Sequence, residues 1–66
     1  MDQESSDLPK DLASPAQRAL TGAGIWRLEQ LTDLSEAEVM QLHGIGPKAL
    51  DQLRRALAAR GLGFKA

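Results

Sequence analysis

The run Leu42-His43-Gly44-Ile45-Gly46-Pro47-Lys48 constrains the fold more than any other part of this chain. Two glycines one residue apart permit a tight reversal, and a proline directly after them suits the first position of a helix. Leu50, Leu53 and Leu57 then recur at i, i+3 and i+7, the spacing of an apolar stripe on one helical face. The segment therefore reads as a helix, a short hairpin and a second helix. The unpaired N–H groups at the second helix's start converge near Lys48, which makes the hairpin a candidate anion site.

The rest of the chain must build a fold around that hairpin with little material. It has 66 residues, 42% of them hydrophobic, and no cysteine, so disulfides and thiolate metal sites are excluded. A single core of this size supplies about 3–5 kcal/mol without such staples, so caps and turns must contribute much of the stability. No run of about 18 apolar residues is present and the start is acidic, which predicts a cytoplasmic protein without membrane segments.

Charge is unevenly placed. Asp2, Glu4 and Asp7 lie in a polar start without periodicity, and residues 1–7 are expected to form a disordered acidic tail. Glu29, Asp33, Glu36 and Glu38 make an acidic middle. Lys48, Arg54, Arg55, Arg60 and Lys65 then face only Asp51, so one pole is basic although the formal net charge is −1.

Local signals divide the chain into a domain over residues 8–62 and a C-terminal tail over 63–66. Ser14, Pro15 and Gln17 read as an N-cap, a first helical position and a capping-box partner, predicting a helix over 15–21 that Gly22 and Gly24 end. Leu28, Leu31 and Leu34 predict a short second helix, and Ser35 with Glu38 predicts a capping box opening a third. Arg60-Gly61-Leu62 has the form of a left-handed C-cap after the last helix. No alternating β-branched or aromatic run competes. The fold class is all-α: a compact bundle of four or five short helices. Leu20, Ile25, Leu28, Leu31, Leu34, Val39, Leu42, Ile45, Leu50, Leu53 and Leu57 are expected inside, with Leu8 and Leu12 lying over them.

These residues give catalysis little to work with. His43 is the only histidine, and Glu36 and Glu38, two apart on a helix, point to different faces, so neither a catalytic set nor a metal site is expected. No cofactor is expected either. Phosphate binding has a physical case: Gly44, Ile45 and Gly46 let the backbone approach a ligand, while Lys48 and Ala49 present N–H groups at the positive helix end. Lys48 adds a charge. Gln52 and Arg55 follow it at helical spacing, forming with Arg18 an auxiliary strip for a sugar-phosphate backbone.

The run Leu42 to Leu50 resembles the helix-hairpin-helix motif, whose hairpin holds DNA phosphates without reading bases. Leu50 departs from the small residue common there. A longer resemblance, from about Leu12 to Leu62 and including Ala56-Leu57-Ala58-Ala59-Arg60-Gly61-Leu62, is to the C-terminal domain of the bacterial RNA polymerase alpha subunit. It implies a SAM-like bundle and a minor-groove grip by an arginine, an asparagine and a hairpin glycine, lysine and serine. Gly46 and Lys48 match that set. The arginine position falls on Pro15, the asparagine position on Arg18 and the serine position on Ala49, so the resemblance carries the fold more fully than the DNA contacts. An acidic position that faces sigma factor in that family falls on Asp11.

The expected function is thus a small, non-enzymatic and monomeric module that binds DNA backbone phosphates weakly and with little sequence preference. The alternative is a protein-interaction module of the transcription machinery on the same scaffold. Trp26, the sole tryptophan, is expected half-buried near the first helix–helix turn and is the sharpest candidate for a protein contact.

Overall fold

Among the described residues apolar periodicity and turn chemistry meet in four helices: α1 (Ser14–Gly22), α2 (Leu28–Leu31), α3 (Glu36–Met40) and α4 (Pro47–Ala59). The computed structural model describes residues 7–66. Among them there is no strand, only an isolated parallel bridge between Ser35 and Lys65. No helix among the described residues is long and apolar enough to cross a membrane.

The longest helix organises the rest. Leu53 and Leu57 of α4 are fully buried, with Ala49 and Leu50 beside them, and α2 and α3 both pack on this face. Leu20 from α1, Leu31 from α2 and Val39 from α3 complete the centre. Leu34 and Leu42, expected inside, are only partly buried, because each lies in the turn after a helix of one turn and packs against the core from its rim. Leu12 and Ala16 take full places in the core.

Helix starts show which local signals prevailed. At α3 the predicted capping box forms: the Glu38 N–H donates to Ser35 Oγ at 3.1 Å, and the Ser35 N–H donates to Glu38 Oε1 at 2.8 Å. The bond from the Ser35 backbone N–H holds the Glu38 carboxyl below its ordinary pKa. At α1 the expectation fails by one residue. Ala13 is the N-cap, and Gln17 Nε2 donates to the Leu12 carbonyl at 2.8 Å instead of reaching the serine. The first helical bond runs from the Gln17 N–H to Ala13 O at 3.0 Å, so Ser14 lies inside the helix and Pro15 at its second position. At the end of α4 Gly61 has φ +73°, and the Leu62 N–H donates to Leu57 O at 2.8 Å, the predicted left-handed cap.

Both ends of the described chain are tied down. Asp7, assigned by sequence to the acidic tail whose other residues lie outside the described ones, accepts from the Leu28 N–H at 2.7 Å and pairs with Arg60 at 3.1 Å. At the other end the Lys65 N–H donates to Leu34 O at 2.8 Å, and Phe64 packs against the core. Gln30 joins α1 to α2: its Oε1 accepts from the N–H groups of Trp26 and Arg27, while its Nε2 donates to Gly24 O.

Candidate nucleic-acid interface

The hairpin between α3 and α4 is built by opposite demands on its two glycines. Gly44 has φ +105°, and a Cβ there would lie 2.7 Å from the Pro15 carbonyl oxygen. Only glycine fits, because the hairpin backbone lies directly on the start of α1. Gly46 is different. It is the extended N-cap of α4 at φ −113°, and a Cβ on it would meet nothing within 4 Å.

Between them Ile45 is buried, and its N–H donates to Leu42 O at 3.1 Å, so it fixes the hairpin to the core and has no N–H left for a ligand. The first bond of α4 runs from the Leu50 N–H to Gly46 O at 3.0 Å. Pro47 has no N–H, which leaves those of Lys48 and Ala49 without an acceptor among the described residues. Ala49 buries its methyl while its N–H stays in this orphan pair. His43 and Lys48 are exposed beside it.

Lys48, Gln52 and Arg55 do come together. They line one shallow cleft along α4 with Pro9, Asp11 and Asp51. Two of the three are engaged there: Arg55 Nε pairs with Asp51 Oδ2 at 3.0 Å, and Gln52 Nε2 donates to Asp11 O at 3.4 Å. Two more arginines of the basic pole are paired in the same way. Arg54 makes a two-pronged contact with Glu36, at 3.1 and 3.0 Å, and reaches Asp51 at 3.3 Å, while Arg60 pairs with Asp7. The Arg54 hydrogen bond holds the Glu36 carboxyl below its ordinary pKa. Among the described residues Lys48 is in no ion pair, so it is the cation left beside the orphan N–H groups.

Arg18 is not part of this cleft. It lines a separate groove with Lys10 and Trp26, although the carbonyl of Pro15, one turn earlier on α1, lies under Gly44. Sequence reasoning did not single out Lys10, and its only signal was a lone lysine next to a proline.

Four short helices around a glycine hairpin, with the long last helix beginning at its second glycine, define a helix-hairpin-helix domain of the all-α class. Its sequence is similar to DNA-directed RNA polymerase subunit alpha: 36% identical over 55 residues to that of Leuconostoc mesenteroides and 34% over 55 residues to that of Staphylococcus aureus strain Newman. Each match covers 83% of this chain, and the chain spans only 18% of those subunits' length. These similarities are consistent with an alpha C-terminal-domain-like region, the resemblance that the hairpin and last helix carry. No family model and no solved structure matches the chain.

Proposed function

We propose that the domain is a non-enzymatic, cytoplasmic binding module that contacts duplex DNA through backbone phosphates at the hairpin. One observation carries this reading: the N–H groups of Lys48 and Ala49 lack acceptors at the start of a 13-residue helix, next to a lysine in no ion pair among the described residues. A helix start of this kind favours a phosphate oxygen through both its N–H groups and its dipole. The transcription role in the names of the alpha-subunit relatives supports DNA as the source of that phosphate.

Binding is expected to be weak and indifferent to sequence. Arg54, Arg55 and Arg60 are already paired with carboxylates of the same chain, so near the hairpin Lys48 is the cation best placed to release counterions from DNA. Positions 15 and 18, matched to the groove-reading arginine and asparagine of the alpha domain, are Pro15 and Arg18, which removes the arginine contact.

A titration with unrelated short duplexes at low salt, followed by amide chemical shifts, tests the proposal. The amides of residues 44–49 should move before any others and by similar amounts for each duplex. If they stay fixed while the protein is folded, the DNA reading fails.

A further inference from the structure

A second groove, on the other side of α1 from the hairpin contact, has a chemistry of its own. Leu8, Pro9 and Trp26 supply apolar surface, Lys10, Gln17 and Arg18 supply the polar edge, and the volume is about 330 Å³. Among the described residues no acidic one lines it. Lys10 and Arg18 are exposed and in no ion pair among the described residues, whereas Arg54, Arg55 and Arg60 are paired.

Two neighbouring clefts show how selective that arrangement is. One beside α2 and α3 has Asp33 and Glu38 on its lining and no cation, and the cleft of Lys48 carries Asp11 and Asp51. Only the Trp26 groove among these three combines unopposed positive charge with an apolar surface.

We propose that this groove docks a protein segment in which an apolar side chain is flanked by carboxylates. Charge complementarity asks for an anionic occupant, because two cations face the groove without an acid among the described residues. The Leu8, Pro9 and Trp26 surface asks for a side chain to cover it, which a phosphodiester backbone does not carry. The anchor is held in advance. The Trp26 backbone N–H donates to Gln30 Oε1 at 2.7 Å, and its carbonyl accepts from the Asp7 N–H at 3.3 Å, so the backbone that carries the indole is fixed before a partner arrives. This proposal goes beyond the DNA reading and does not depend on it.

Trp26 is the chain's sole tryptophan, so its emission reports the groove directly. The full chain is titrated with a synthetic peptide bearing one Phe between paired Asp residues. Two control peptides replace Asp by Asn, or Phe by Ser, and a single-stranded oligonucleotide and a DNA duplex complete the set. The acidic Phe peptide should shift Trp26 emission and the amides of residues 17–21, and each control peptide should bind at least tenfold more weakly. Lys10→Glu should cost at least tenfold in peptide affinity, whereas Lys48→Glu, which alters the hairpin alone, should leave it unchanged. An acidic peptide that leaves Trp26 emission unmoved in the folded protein overturns the proposal. So does an oligonucleotide that moves it in a manner lost with Lys10→Glu, since the groove would then be a nucleic-acid site. Hairpin amides report the duplex separately, so failure of either reading is visible without the other.

Discussion

The two halves of the hairpin differ in what they serve. The first half, Gly44 and Ile45, faces inward: one residue has its backbone against the Pro15 carbonyl and the other is buried in the core. The second half, from Gly46 to Lys48, faces outward, with open space above the glycine and an exposed lysine in no ion pair among the described residues. The same Gly-x-Gly spelling therefore covers a packing requirement and a ligand-facing surface. A substitution at one glycine should be read by stability and at the other by binding.

Four substitutions test this contrast. Ile45→Ala should have the largest effect on stability, about 2–5 kcal/mol for removing a buried branched side chain, enough to unfold much of so small a domain in a denaturant titration. Gly44→Ala should come next, since a side chain at positive φ carries strain of about 1–3 kcal/mol and its Cβ would press on the Pro15 carbonyl. A thermal midpoint unchanged by Gly44→Ala would show that the hairpin does not rest on α1. Gly46→Val should cost about 1 kcal/mol or less, the scale of a poorer N-cap, while weakening DNA binding by crowding the Lys48 and Ala49 N–H groups. Lys48→Glu should raise stability slightly, by less than about 1 kcal/mol, as an exposed substitution that places a carboxylate at the positive end of α4. Measured against log salt, the binding slope of that last variant should fall by about 1. If Gly46→Val or Lys48→Glu binds like the parent chain, the outward half is not a phosphate contact.

Much of this arrangement was legible because it depends on neighbours in sequence. Ser35 and Glu38 lie three residues apart and find each other, and Gly61 ends α4 through bonds within a single turn. The start of α1 carries nearly the same spelling and resolves differently. Glutamate can only accept, so Glu38 takes the N–H of Ser35. Glutamine can also donate, and Gln17 satisfies the Leu12 carbonyl, with the helix beginning one residue earlier than the serine suggests. Distant pairings were not legible. The meeting of Gly44 with Pro15, the ion pairs of Arg54 with Glu36 and of Arg60 with Asp7, and the grouping of Lys10 with Trp26 all join residues whose proximity only the packed fold creates. The basic pole read from composition was for this reason larger than the unpaired charge on the folded surface.

Asp7 carries a consequence for how the domain opens. A four-residue helix such as α2 has no stability of its own, and the amide at its first position would ordinarily exchange with solvent freely. Here the Leu28 N–H is held by a carboxylate 21 residues earlier, which is itself bound to Arg60 at the far end of α4. Deuterium uptake at Leu28 therefore times the departure of the N-terminal segment and not the melting of α2, so one slow amide reports on a contact that spans nearly the whole chain.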